Sequence, residues 1–405
     1  MGNIMSYLDW RGDLTFRQSP FNEVDNLILS QISYIDFDGI VPLLDNDEDR
    51  RDCITIEEAA KGYFFCHSEE EILAETSFIH MTPFLLRKMA ETRRFRSAQL
   101  SMHINNIDLS KQMQFAALHI KLSDGTTYIS FGGTDDTIIG WKEDFNMSFQ
   151  TVPSQLEAVK YLENTTHGFL PRYRLGGHSK GGNLAIYAAV MCSKRARRRI
   201  KTIYNNDGPG FTEDMLRVPE YKEILDKVQS YAPENTIIGM LLESDTDYAI
   251  VGSSQKGILQ HDAMSWEVLG DRLVRRTHRT RESIMFEDTF KGWLRGLDNS
   301  QKQKFVNDFF NILQENGART LTDISSTHFK GMSSLLKAFG DMDEANKEVI
   351  AKLLSSLTNE YTKRFVKPFV EKIFPTSIIK EHPPAKDVTA SKRSENSGSI
   401  TSLSR

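Results

Sequence analysis

The chain has 405 residues, of which 39% are hydrophobic, and a formal net charge of −5. This length can bury a sizeable core, and we expect one main domain with additions. No apolar run approaches the roughly 18 residues of a membrane-spanning helix and no secretory signal opens the chain, so we expect a cytoplasmic protein. Its three cysteines, Cys53, Cys66 and Cys192, are widely spaced and indicate neither a disulfide framework nor a zinc site. We predict no metal and no cofactor.

The first 110 residues mix turns with helical stretches. Apolar residues recur at helical spacing over residues 56–65 and 82–94. The pattern predicts an N-terminal extension, residues 1–110, that packs over the sheet of a core formed by residues 111–280. This extension could form part of a cap over the substrate.

A hairpin opens the core. Residues 115–122 alternate apolar and polar side chains, residues 123–125 make a turn, and residues 126–131 run back as a second strand. The second strand ends at Gly132-Gly133-Thr134. The two glycines have no side chains to cover the backbone N–H groups, so these groups are open to a ligand. Thr134 could offer its N–H and its hydroxyl to a developing oxyanion. The alternative is an ordinary glycine-rich turn.

The pentapeptide Gly177-His178-Ser179-Lys180-Gly181 lies between a short apolar strand and an alanine-rich helix. Gly-x-Ser-x-Gly in this context is typical of a nucleophile elbow, in which the serine hydroxyl is exposed and the N–H of the next residue faces the oxyanion. A phosphate-binding P-loop is disfavoured because serine precedes lysine and no hydroxyl follows. A structural glycine turn is the remaining alternative.

An acid and a histidine should follow the serine along the chain. Residues 236–243 are interpreted as a buried strand that ends near Asp245 and Asp247. We favour Asp247 as the acid, because the apolar residues after it can enclose it, and keep Asp245 and Asp207 as rivals. His261 follows in a loop and is the expected general base.

Other regions are predicted to be accessory. Residues 208–232 fit a helix, either a lid or an ordinary crossover. Residues 281–378 contain amphipathic helices, first with Phe305, Phe309 and Leu313, and residues 379–405 have the composition of a disordered tail. Basic clusters at residues 194–201 and 272–281 fit solvated helix ends and leave peripheral membrane contact open. The acidic overall balance argues against nucleic acid as a partner.

The motifs in combination resemble a known group. Phe131-Gly132-Gly133-Thr134 with Trp141 and Asp144 resembles the oxyanion loop of class 3 lipases, although glycine replaces the usual arginine at 132. Four further segments are similar to those of an uncharacterised bacterial family of lipase-like α/β-hydrolases; they are Asp9 to Asp13, Gly140 to Phe145, Asn206 to Phe211 and Ser254 to His261.

The resemblance covers about residues 1–290. It implies an α/β-hydrolase fold with a central, mostly parallel sheet and a triad of Ser179, Asp247 and His261. It also implies that Thr134 and Lys180 supply the oxyanion donors. The function expected from it is hydrolysis of a small-molecule ester or acyl-lipid ester through an acyl-enzyme. The alternatives are a thioesterase or amidase, and an idle scaffold that binds a ligand or protein.

Overall fold

A computed structural model of the protein describes residues 1–43, 53–74, 79–108, 110, 113–134, 137–147, 149–170, 172–236, 238–240, 248–315 and 317. In these ranges the chain forms a mixed sheet with helices on both sides. None of the helices found there combines the length and the apolar character that crossing a membrane requires.

Eight strands form the main sheet, and their order in the sheet is their order in the chain. The first four are joined antiparallel, and β4 to β8 are parallel. The strands are β1 (Ile54–Thr55), β2 (Gln99–Asp108), β3 (Met113–Lys121), β4 (Thr127–Phe131), β5 (Tyr173–His178), β6 (Ile200–Asn206), β7 (Val228–Pro233) and β8 (Tyr248–Val251). A separate short hairpin joins β9 (Val268–Leu269) to β10 (Arg272–Leu273).

The α-helices alternate with the parallel strands and also precede and follow them. They are α1 (Ile4–Arg11), α2 (Glu23–Gln31), α3 (Ile56–Cys66), α4 (Glu69–Ala74), α5 (Thr82–Glu91), α6 (Ile138–Asn146), α7 (Pro153–Thr165), α8 (Lys180–Met191), α9 (Lys194–Arg197), α10 (Glu213–Leu216), α11 (Pro219–Ile224), α12 (Arg281–Arg295) and α13 (Asn299–Glu315).

One face of the sheet is covered by helices that connect its parallel strands. Crossovers between parallel strands are almost always right-handed, so strands added in chain order keep their helices on the same face. Here α7, α8 and α11 form that layer, and their buried side chains share a core with β3 to β6. α8 lies at the centre of the layer, and every residue from Lys180 to Val190 is buried.

The N-terminal region covers the other face. A parallel sheet needs cover on both sides, and α2 lies against β4, β5 and β6 with every residue from Val24 to Gln31 buried. This layer is tied together by a fully buried ion pair of 2.5 Å between Arg94 and Asp25. α2 thus packs over the sheet as expected for the N-terminal region, but residues 1–110 are not only an extension, because they also supply strands β1 and β2 of the sheet itself.

The hairpin, the strand before Ser179 and the helix after it were also predicted, and they are β3 with β4, β5 and α8. The strand predicted at residues 236–243 is wrong in its described part, because residues Ile238–Met240 form a turn of 3₁₀-helix. Residues 208–232 form two short helices and then β7, rather than one lid-like helix. The mostly parallel sheet and the helices between its strands agree with the predicted α/β fold class.

The chain after the sheet begins with two helices. The predicted stripe of Phe305, Phe309 and Leu313 lies on α13 and is buried. α13 packs on α6, where Phe310 meets Phe145 edge to face at 5.5 Å between ring centroids. The further helices and the tail that the sequence predicts beyond residue 317 lie outside the described residues.

Candidate active site

Ser179 occupies a sharp turn between β5 and α8. Its backbone angles are φ 57° and ψ −132°, a conformation that residues with a side chain rarely adopt. The Ser179 N–H donates to the backbone oxygen of Asn206 at 2.9 Å, and the backbone oxygen of Ser179 accepts from the Gly182 N–H at 2.9 Å. These bonds hold the strained serine between strand β6 and the first turn of α8. The residue is only 4% exposed.

The glycines of the turn are required by close approach of backbone to backbone. A Cβ at Gly181 would lie 2.1 Å from the Phe131 oxygen, and one at Gly177 would lie 2.3 Å from the carbonyl carbon of Gly181. Neither contact can be relieved by rotating a side chain. The Gly-x-Ser-x-Gly spacing thus lets α8 start directly against the end of β4.

His261 pairs with Asp207. The His261 Nδ1 lies 2.7 Å from the Asp207 Oδ2, and the carboxylate is fully buried. Asp207 directly follows β6 with φ 55°, and its N–H donates to the Tyr231 oxygen at 2.7 Å. Its second oxygen accepts from the Thr236 hydroxyl. The carboxylate is therefore fixed from two sides and can orient the imidazole.

Of the three candidate acids, Asp207 is the one that the structure shows in contact with His261. Asp245 and Asp247, the acid favoured from the sequence, lie outside the described residues. The sequence signal for Asp207 is its place directly after the strand beside β5, in Asn206-Asp207-Gly208. In a parallel sheet the carboxyl ends of neighbouring strands share one edge, so such a residue lies next to the elbow.

His178, the residue before the serine, contacts His261 directly. Its Nε2 donates to the His261 backbone oxygen at 2.7 Å, and the two ring centroids lie 4.6 Å apart. Since a carbonyl oxygen only accepts, the proton is on Nε2, and Nδ1 accepts from the Tyr34 hydroxyl at 2.8 Å. Burial holds the pKa of His178 well below its usual range. Sequence reasoning missed both His178 and Tyr34.

Thr134 lies at the end of the loop after β4. Its hydroxyl donates to the Asp144 Oδ2 at 2.8 Å. Asp144 is buried, its Oδ1 has no partner among the described residues, and burial raises its pKa to about 7. The hydrogen bond directs the Thr134 hydroxyl toward Asp144.

Lys180 turns its side chain away from the serine. The Nζ donates to the backbone oxygen of Gln114 and to Glu143 Oε2, both at 3.0 Å, and the Lys180 side chain is fully buried. The Lys180 N–H is the first of α8 and directly follows Ser179, the position expected for one donor of an oxyanion hole.

The arrangement combines a strained serine at a helix N-terminus with an acid–histidine pair at the same edge of the sheet. Neutral His261 that donates from Nδ1 to Asp207 keeps the lone pair of Nε2 for a proton. The residues can therefore accept a proton from a hydroxyl and stabilise negative charge near the start of α8.

Comparison with known proteins gives one match. No curated protein and no solved structure matches the chain. The model of the Mbeg1-like family matches residues 89–311, which is more than half of the 405 residues. The matched range contains β2 to β8, the elbow, Asp207 and His261. The chain therefore belongs to the Mbeg1-like family.

Proposed function

We propose that the protein is a serine hydrolase of carboxylic esters that works through an acyl-enzyme. The observation that carries this proposal is the 2.7 Å pair of His261 Nδ1 with buried Asp207, next to a serine held at φ 57°. A strained turn is maintained only where the surrounding structure enforces it, and such turns are concentrated at active sites. The lipase-like motifs of the sequence support the same chemistry.

In the first half of the reaction Ser179 Oγ attacks the ester carbonyl carbon and its proton passes to His261 Nε2. The tetrahedral intermediate collapses, the bond to the leaving oxygen breaks, and the alcohol departs with the proton from His261. Water then attacks the acyl group by the same route, its proton passes to His261 and then to Ser179 Oγ, and the acid is released.

Asp207 takes the role of the acid in this proposal, in place of Asp247. It would orient His261 and stabilise the imidazolium that forms when the serine proton is taken up. Both of its oxygens are engaged, one by His261 and one by Thr236. A carboxylate fixed in this way needs no rearrangement during the reaction.

The oxyanion would be held by the backbone N–H groups of Lys180 and Thr134. The first opens α8, and the second lies in the loop after β4, which Gly181 brings against the elbow. Asp144 fixes Thr134 through its hydroxyl at 2.8 Å. Removal of one oxyanion donor typically lowers the rate by about 100 to 1,000-fold.

The substrate class that we propose is small-molecule or acyl-lipid esters. This follows from the likeness of the oxyanion loop to the class 3 lipases. Thioesters and amides need the same catalytic groups, so their hydrolysis should be tested beside that of esters. The second candidate function is an idle scaffold, which is favoured by the low exposure of Ser179, 4% of the residue.

The first experiment is labelling of the purified protein with a small fluorophosphonate, followed by location of the label by mass spectrometry. We expect labelling of Ser179 in the wild type, and none in Ser179→Ala or His261→Ala, with circular dichroism showing that both variants fold. Ser193, an exposed serine that caps α9, provides the matched control variant Ser193→Ala. Absence of labelling in folded wild type, or hydrolysis retained by Ser179→Ala, would contradict the proposal.

A further inference from the structure

The end of the sheet opposite Ser179 carries two adjacent apolar side chains that face solvent. Phe169 is 89% exposed and Leu170 is 60% exposed, in the loop between α7 and β5. Single exposed apolar residues are common, whereas neighbouring ones point to a contact surface. The proposed hydrolysis takes place at Ser179, at the other end of β5, and does not involve these two side chains.

The loop that presents them is anchored at both ends. The Tyr173 hydroxyl accepts from the His167 N–H at 3.0 Å and donates to the His167 oxygen at 3.4 Å. Gly168 turns the chain with φ +91°, and the Arg172 N–H donates to the Arg199 oxygen at 2.9 Å. The tip is therefore held away from the core by defined hydrogen bonds.

Exposed cations lie at the same end of the sheet as the tip. β6 begins beside β5, with Ile200 paired to Tyr173, so α9 and the start of β6 lie at the same end of the sheet. The exposed basic residues there, none of which forms an ion pair with a described residue, are Arg172, Lys194, Arg195, Arg198 and Lys201.

Two acidic side chains of this region are already engaged, and a third, Asp226 before β7, is exposed, so the cations remain in excess. Glu163 accepts hydrogen bonds from the backbone N–H and the hydroxyl of Ser193. Glu223 pairs with Arg197 at 3.0 Å. The five exposed cations thus keep their charge available for an external anion. We call these cations together with Phe169 and Leu170 the basic end surface.

We propose that the basic end surface docks on an anionic lipid bilayer. Phe169 and Leu170 would enter the interface between headgroups and acyl chains, and the cations would lie at the level of the negative headgroups. This combination of apolar tip and cationic rim matches the two attractions that bind peripheral proteins to anionic membranes. A purely polyanionic partner would leave the two apolar side chains unused.

Docking in this way separates membrane binding from catalysis. β5 has six residues, which corresponds to about 20 Å between the basic end surface and Ser179. The bound protein would hold its active site away from the bilayer. Vesicle binding should therefore be independent of Ser179, and hydrolysis of a water-soluble ester should be independent of Phe169 and Leu170.

The test is co-sedimentation of the full chain with vesicles of phosphatidylcholine alone or mixed with phosphatidylglycerol. We expect binding to the mixed vesicles only, and weakening by high salt. Phe169→Ser with Leu170→Ser should weaken binding by about tenfold, and Arg198→Gln with Lys201→Gln by about fivefold per charge. The inactive Ser179→Ala variant should bind like the wild type.

Matched controls use equally exposed residues elsewhere. Phe65 is 91% exposed and Leu73 is 57% exposed, and their change to serine should leave vesicle binding intact. Binding that depends on the cations but not on the tip would indicate a site for another polyanion, such as nucleic acid, and would overturn the proposal. Equal binding to neutral vesicles, or none to either kind, would also overturn it, whatever the outcome of the serine labelling.

Discussion

His178 donates a hydrogen bond of 2.7 Å to the backbone oxygen of His261, the residue that is itself paired with Asp207. The histidine before Ser179 thus supports the histidine that we propose takes the serine proton. Because His178 is also bonded to Tyr34, the N-terminal layer reaches the active site through two side chains.

Replacement of His178 by alanine should reduce kcat with little change in KM. The variant loses the hydrogen bond that fixes the His261 backbone, a loss worth about 1–3 kcal/mol, or roughly 10 to 100-fold in rate. His178→Gln keeps an N–H donor and should recover part of the activity. His119 is another buried histidine, bonded to Thr165, and His119→Ala is the control for histidine loss elsewhere. An equal loss in both variants would assign His178 a structural role only.

Asp207→Asn should lower kcat by about 10⁴-fold, because the amide no longer holds His261 in the tautomer that leaves Nε2 free. Asp247→Asn should have a small effect under the same conditions. Steady-state kinetics on a chromogenic ester, with folding checked by thermal melting, measure both. Activity lost in Asp247→Asn and kept in Asp207→Asn would restore the acid favoured from the sequence.

Asp144 should make the protein less stable as pH rises from about 4 to about 7. Burial raises its pKa in the folded state to about 7 from the usual 3.8, so between these values the folded protein keeps a proton that the unfolded chain has lost. This favours the folded state below pH 4 and is lost above pH 7.

Asp144→Asn retains an acceptor for the Thr134 hydroxyl but has no titrating proton. Its free energy of unfolding should therefore exceed that of the wild type at pH 8 by a few kcal/mol at most, on the order given by the pKa shift. The advantage should disappear near pH 4. Urea unfolding at the two pH values measures it, and a constant difference between the proteins would contradict the assignment.

Gly181→Ala should destabilise the fold by about 1–3 kcal/mol or more, because its Cβ would meet the Phe131 oxygen at 2.1 Å. Gly292, on α12, has open space around a Cβ and is the matched control. Gly292→Ala should be neutral or stabilise by up to about 1 kcal/mol, as alanine is the better helix former. Denaturant titration distinguishes them, and two equal effects would argue against the close packing of the elbow.

Much of the scaffold is predictable from local patterns. Alternation of apolar residues predicts β3 and β4, and the glycine spacing around Ser179 predicts the elbow, because both are dictated by neighbours in the chain. His261 was predicted as the base from its place in a loop after the candidate acids, and the structure pairs it with one of them, Asp207.

The carboxylate that pairs with His261 was harder to predict. The apolar run after Thr236 favours a strand by composition, yet residues Ile238–Met240 form a 3₁₀ turn. Asp207 lies in a segment whose Asp-Gly-Pro-Gly sequence is typical of a turn, and its position beside His261 depends on strand order, which composition does not encode. The contact between Tyr34 and His178 joins residues 144 positions apart and has no local signal.

The order of the strands has a consequence for how the chain is made. Because each strand pairs with the one synthesised just before it, the sheet can grow stepwise as the polypeptide leaves the ribosome. The helix α2 is made before any strand of the sheet, but it packs on β4 to β6, which are made later. The side chains of α2 that these strands bury are therefore uncovered until β4 to β6 have been synthesised. During that time this early segment of the nascent chain needs protection from premature association.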